Sequence, residues 1–289
     1  MTLRNGGSYA ALTQNSVGYW QSKINNAVTS PEVSVEFDWA GTEFALGIRN
    51  IIAGATRLWV WIDGIPATAA PVAYADGSST AGQLYWLRVV FAAATVARVR
   101  IWMFNSDFSR ISYAPGNHMQ PVVASAPRMF MLGDSWIDGA AGVEHWDLSG
   151  HLIPRLLGME GFRGGQGGTG YMNPATSTKR AFTDADRLTR VAAANPDYIY
   201  IHGVQNDYAP GTSYTASDVG AAAASVFSQL ASLAPNAKLI LNPSSNLGVT
   251  PPADQEPKRA AVLAAGVAAP NIIGMIDANT DTIYGRGGQ

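Results

Sequence analysis

The chain has 289 residues, 47% of them apolar and 14% charged, with no cysteine, and its 19 Lys+Arg against 21 Asp+Glu leave a net charge of −2. That composition excludes disorder, disulfide frameworks, thiol chemistry and cysteine-held metal, and it gives no basic surface for tracking nucleic-acid phosphates. The N-terminal MTLRNGGSYA has no apolar signal core, and the best uncharged apolar run, 260–270, falls short of the ~18 residues of a spanning helix. A soluble protein of two domains, without nucleic-acid or membrane partners, is expected from these numbers.

In chain order, short runs rich in Val, Ile, Trp, Tyr and Phe come first: VSVEFD (33–38), EFALGIR (43–49), RLWVWID (57–63), LYWLRVVF (84–91) and VARVRIWM (96–103). Turn formers separate them, among them Ala40-Gly41, Asp63-Gly64 and Asp76-Gly77-Ser78-Ser79. The pattern predicts an all-β sandwich or jelly roll over residues 1–122, ending in a link near 117–126.

From about Pro127 strands alternate with helices. RMFML (128–132), DYIYIHG (197–203), AKLILNP (237–243) and NIIGMIDA (271–278) read as strands. Helices are expected over 148–158, 184–195, 215–234 and 254–268, with Thr215 and Asp218 spaced as a capping box and Pro196 and Pro235 as stops. Residues 123–289 are therefore expected to form a parallel sheet with helices on both faces, whose reacting groups gather at the carboxyl ends of the strands.

Three blocks sit at or near those ends: Gly133-Asp134-Ser135 with Asp138-Gly139, the loop Gly164-Gly165-Gln166-Gly167-Gly168-Thr169-Gly170, and Gly203-Val204-Gln205-Asn206-Asp207. Each has a plain alternative. Asp134 or Ser135 can simply cap a helix, and Asn-Asp can simply turn.

In their order and spacing, the three blocks resemble the SGNH (GDSL-type) hydrolase superfamily over residues 127–289. The resemblance implies a three-layer α/β/α, flavodoxin-like domain. It also implies a serine esterase in which Ser135 is the nucleophile and Gly168 and Asn206 are oxyanion donors, with no metal or organic cofactor. A β-sandwich ahead of such a domain is similar to the arrangement in some carbohydrate esterases. Acetyl esters on a saccharide are the expected substrates, and an extracellular or surface setting goes with them.

The family's fourth block, Asp-x-x-His, which supplies the base, has no match. The nearest stretch, Asp281-Thr282-Ile283-Tyr284, carries tyrosine in place of histidine. Of the four histidines, His118 lies in the link, His145 and His151 near the first helix, and His202 on a buried strand, where a core role is expected; His202 is the remaining stand-in for the base. A chain lacking the Asp-x-x-His segment, or one receiving it from a separate chain, fits this pattern. So does a different class of protein, a glycan-binding or structural module such as a phage-tail or surface protein with a degenerate site. The tryptophans at 39, 59, 61, 86 and 102 fit either a sandwich core or sugar-stacking platforms.

Gly165-x-Gly167-x-x-Gly170 also satisfies a dinucleotide fingerprint, but no convincing strand precedes it and no helix is expected after it. No Gly-x-Ser-x-Gly elbow surrounds Ser135. The six-residue spacing of His145 and His151 does not stack them on one helical face as a metal pair requires.

Overall fold

The computed structural model describes residues 2–4, 12–14, 20–22, 32–50, 56–68, 72–75, 84–104, 106–121, 126–138, 149–208, 213–243 and 255–277. The chain divides into two units, Met1–Ser125 and Ala126–Gln289.

Among the described residues of the first unit ten strands form one antiparallel sheet: β1 (Thr2–Arg4), β2 (Leu12–Gln14), β3 (Trp20–Ser22), β4 (Glu32–Asn50), β5 (Thr56–Ile62), β6 (Ile65–Pro66), β7 (Val72–Ala75), β8 (Leu84–Phe104), β9 (Ser106–Ser112) and β10 (His118–Pro121). The runs at 33–38 and 43–49, expected as separate strands, are the two arms of β4, and those at 84–91 and 96–103 are the arms of β8. Ala40-Gly41 is a corner within a strand, not a turn between strands. Pairing jumps there from Gly41 with Thr95 to Glu43 with Val90, so β8 takes the longer outside path. The Phe37 and Phe44 ring centroids lie 5.3 Å apart, although seven residues of extended chain span about 23 Å. The sheet therefore folds over and closes its apolar face on itself, burying Val35, Phe37, Trp39, Phe44, Leu46, Ile48, Val99, Ile101 and Met103. Glu36 and Asp38, on the alternate face of β4, pair with Arg100 and Arg98. Asp63-Gly64, both at positive φ, make the expected two-residue turn from β5 to β6; Asp76–Ser79 lies outside the described residues. Trp39, Trp59 and Trp102 are buried, whereas Trp86 is 44% exposed.

The second unit is a parallel sheet of β11 (Arg128–Gly133), β12 (Glu160–Gly165), β13 (Tyr198–His202), β14 (Lys238–Asn242) and β15 (Ile272–Met275), in the order β12-β11-β13-β14-β15. Its helices are α1 (Ser135–Asp138), α2 (Ser149–Leu156), α3 (Ala185–Ala193), α4 (Ala216–Leu233) and α5 (Gln255–Ala268). On one sheet face Met129, Met131 and Tyr200 meet Ile137 of α1 and Ile153 of α2. On the other, α5 closes on Leu241 through Gly266, and α3, α4 and α5 pack in series. Asp184 caps α3, and Thr215 with Asp218 forms the expected capping box on α4.

The exception is β12, where no convincing strand was expected. Its glycines hide it: a Cβ on Gly161 would press on Pro154 of α2 at 2.8 Å, and one on Gly165 would overlap the Asp138 backbone of α1. Glycine here serves close approach of a helix to a strand, which β-propensity does not register. After β12 the chain runs through turns, so the dinucleotide pattern has its strand but not its helix.

Candidate functional site

In this strand order β11 is the switch point, with the chain leaving to β12 on one side and returning to β13 on the other; a crevice is expected above the carboxyl ends. All three sequence blocks arrive there.

Gly133 ends β11, and Asp134 turns the chain into α1. The Asp134 carboxylate accepts from Trp136 N–H at 2.9 Å, and its carbonyl accepts from Ile137 and Asp138 N–H. The capping acceptor of this turn is thus Asp134. Asp134 is fully buried, and burial pushes its carboxyl up to about 6 against the opposing pull of the Trp136 N–H and of Arg187. Ser135 follows, half-buried, its Cβ directed at the glycine loop: a Cβ on Gly167 would stand 3.6 Å from it. The same point lies 3.5 Å from Asp138 Oδ2 and 3.6 Å from Lys179 Nζ, which donates to the Gly167 carbonyl. Gly139 lies outside the described residues.

The loop after β12 is closed by Thr169, whose N–H and hydroxyl both donate to the Gln166 carbonyl, at 3.2 and 2.7 Å. Gly168 inside this turn has φ +81°, a left-handed conformation that favours glycine. Gly167 N–H donates to Asp138 at 3.0 Å, and Gln166 N–H to the Gly133 carbonyl at 3.0 Å.

From β13 a 3-10 turn over Gln205–Tyr208 presents the third block. The Asn206 amide donates to the Thr169 carbonyl at 2.8 Å and to Asp134 Oδ2 at 3.3 Å, so one side chain touches both other blocks. Trp136 Nε1 donates to Gln205 Oε1 at 2.9 Å, a further link between the first and third blocks. Asp207 is buried, which raises its carboxyl, while the N–H groups of Met172, Tyr171 and Asn173 oppose that shift. It fixes the chain beyond the glycine loop.

His202, on β13, stacks on Tyr200 and lies 6.3 Å from the Trp136 ring; its Nε2 is buried with no hydrogen-bond partner. Burial pulls it down to about 4, so the ring is neutral at pH 7. His118 is exposed on β10 of the first unit, and His151 falls in α2. His145 and the 281–284 stretch lie outside the described residues. Among the described residues no three His, Asp or Glu side chains form a metal site, and no helix is long and apolar enough to cross a membrane.

Sequence reading missed Arg187, buried beside the blocks, and gave no role of its own to Thr169, buried inside the second block. Arg187 donates to the carbonyls of Gly133, Gly164 and Arg180 and to the Thr169 hydroxyl. Its signal was available: it precedes Val191 by four on α3, which puts a charge on the helix's apolar stripe.

No protein-family model and no curated protein matches the sequence. Solved structures do. The salicylyl-acyltransferase SsfX3 of a tetracycline biosynthetic pathway superposes with a TM-score of 0.69 at 14% identity, over 99% of this chain and 85% of that one. A family two carbohydrate esterase from Clostridium thermocellum, solved with cellohexaose, gives 0.62 at 11% over 96% and 88%. The acetyl xylan esterase Est2A from Butyrivibrio proteoclasticus gives 0.58 at 12% over 95% and 86%. The chain shares its fold with these two carbohydrate esterases and this acyltransferase. At these identities the likeness is one of fold, and chemistry must be argued from the site.

Proposed function

We propose that the chain acts on short acyl esters through Ser135, with acetylated saccharides as the substrate class. The convergence of the three blocks carries this reading: the Asn206 amide lies on both the Asp134 carboxylate and the Thr169 carbonyl, and the Ser135 Cβ faces Gly167. The esterases and the acyltransferase that share the fold support it, and the saccharide part draws on the cellohexaose complex and the acetyl xylan esterase.

In this reading a base takes the Ser135 proton as Oγ attacks the ester carbonyl, the ester C–O bond breaks and the alcohol leaves with that proton, and water then cleaves the acyl-enzyme to the free carboxylic acid and Ser135. The N–H groups of Ser135 and Gly168 and the amide of Asn206 receive the developing negative charge. Asn206 must give up one of its two present acceptors to do so, and the longer bond, to Asp134, is the one to yield. The base is proposed to come from an Asp-x-x-His segment, one on a separate chain included, because no such motif occurs in the sequence and, among the described histidines, His202 makes no hydrogen bond through Nε2. No cofactor is required by this chemistry.

The test is hydrolysis of 4-nitrophenyl acetate by the wild type and Ser135→Ala, each with and without added imidazole as a replacement base. Turnover above the variant, in buffer or with imidazole, supports Ser135 as nucleophile; equal rates under both conditions overturn it.

A second reading, a glycan-binding module with a degenerate site, is favoured by Trp136, 45% exposed beside Ser135 and offering an aromatic surface to a sugar ring. Xylan or cello-oligosaccharide binding that persists in Ser135→Ala, with no turnover in either protein, would select it.

A further inference from the structure

The Arg187 guanidinium is buried, and burying a cation is costly unless its donors are met. Its four acceptors are all neutral. One nitrogen donates to the Gly133 carbonyl at 2.6 Å and the Gly164 carbonyl at 3.0 Å; the other donates to the Arg180 carbonyl at 2.6 Å and Thr169 Oγ1 at 3.0 Å. Its flat face lies 4.6 Å from the Phe182 ring centre. An amphipathic helix needs no charge at such a position, and a leucine there would avoid the desolvation cost.

The acceptors explain the placement. Gly133 O belongs to the peptide that leads into Asp134-Ser135, and Gly164 O to the peptide that leads into the glycine loop. The two carbonyls end neighbouring strands, with Leu132 paired to Gly164 and Gly133 to Gly165. Thr169 then carries the connection onward. Its hydroxyl accepts from Arg187 and donates to the Gln166 carbonyl, closing the turn that holds Gly168, while its own carbonyl accepts from Asn206. One continuous chain of hydrogen bonds thus runs from the residue before Asp134, through the glycine turn, to the Asn206 amide.

We infer that Arg187 and Thr169 are positioning residues, which together set the distances among Ser135, Gly168 and Asn206. Neither touches substrate. Each acts through the loops it holds, and a planar fork reaches the strand carbonyls with one nitrogen and Thr169 and the Arg180 carbonyl with the other, a spread that a lysine's single point charge does not give. The inference rests on the esterase reading for its catalytic consequence, but the positions themselves can be read without turnover.

Thr169→Val nearly preserves shape and removes only the hydroxyl; Thr169→Ser restores it. With 4-nitrophenyl acetate, plus imidazole where needed, Thr169→Val is expected to lower kcat by about 10- to 100-fold, as displaced reacting groups do, with KM little changed. Thr169→Ser is expected to recover most of that loss, and Arg187→Lys to fall between them. On an Asn206→Ala background Thr169→Val should cost much less, because the two share one network. Melting temperatures report folding, and the Asn206 side-chain amide signals in a 15N spectrum report its environment without any turnover. Unchanged kcat and unmoved Asn206 signals in Thr169→Val and Arg187→Lys overturn the inference, and so does an equal loss in the Val and Ser variants. A wild type without Ser135-dependent turnover overturns the esterase reading instead. In that case moved Asn206 signals retain the positioning role and unmoved ones remove it. If Thr169→Val does not fold, Arg187→Lys decides by the same two readouts.

Discussion

Asp134, just past the end of β11, and His202, the last residue of the neighbouring β13, are moved by burial in opposite directions along the pH axis. The Asp134 carboxyl, raised to about 6 in the native state, holds a proton there that the unfolded chain releases near pH 4. Native stability therefore falls as pH rises between about 4 and 6, and the full cost, about 3 kcal/mol, is present above that window. His202, lowered to about 4, refuses a proton that the unfolded chain takes up near pH 6.5, so its contribution is lost as pH falls from 6.5 toward 4. The two slopes oppose each other. Asp134→Asn should gain on the wild type by up to about 3 kcal/mol in going from pH 4 to pH 7. His202→Gln should move the other way. Urea midpoints across that range check both, and parallel curves for Asp134→Asn and wild type would mean that this carboxyl does not titrate there.

At the scale of elements, the glycines of β12 give the sharpest stability forecast. A methyl on Gly165 meets the Asp138 backbone amide, which no side-chain rotation can relieve. Gly165→Ala should therefore destabilise the second unit by about 2–3 kcal/mol, the usual cost of overpacking, and thermal unfolding would register it as a lower Tm; an unchanged Tm would mean that α1 can retreat. Gly158→Ala is the control for crowding, since nothing lies within 4 Å of a Cβ there, although its φ of +66° adds its own strain. Legibility in the sequence followed the same line. The helix announced by its capping pair, Thr215 and Asp218, was readable because the capping bond is local. The strand β12 was not, since its reason for being glycine-rich lies in α1 and α2. The three loop blocks were legible from residue types and spacing, whereas Arg187, although its spacing from Val191 puts it on the apolar stripe of α3, was passed over because an arginine within a helix ordinarily faces water.

For the whole molecule, the corner in β4 and β8 decides how the first unit is held together. Phe44 sits inside the fold, its ring 5.0 Å from Trp39 and 5.3 Å from Phe37 across the bend. Phe44→Ala should cost about 3–5 kcal/mol. In hydrogen exchange the lost protection should appear in 32–50 and 84–104, the two arms that the ring ties together; protection lost elsewhere first would contradict the folded-over core. Separate strands were expected in this region because Ala40-Gly41 resembles a turn, and a bend inside a continuous ladder uses the same residue types. Fold-over demands pairing across distance, which local patterning does not encode.

That pairing also has a consequence in time. Arg49 waits for Leu84 and Glu32 for Phe104, so the ribosome must add about 35 to 70 residues before β4 meets its partner. At roughly 5–20 residues per second, a 19-residue strand with six core side chains has, among the described residues, only the three-residue β1 upstream to pair with and lacks β8 for several seconds during synthesis. The nascent first unit is thus a natural client for a chaperone that covers apolar strands, and production at reduced temperature or with such a chaperone should raise its soluble yield.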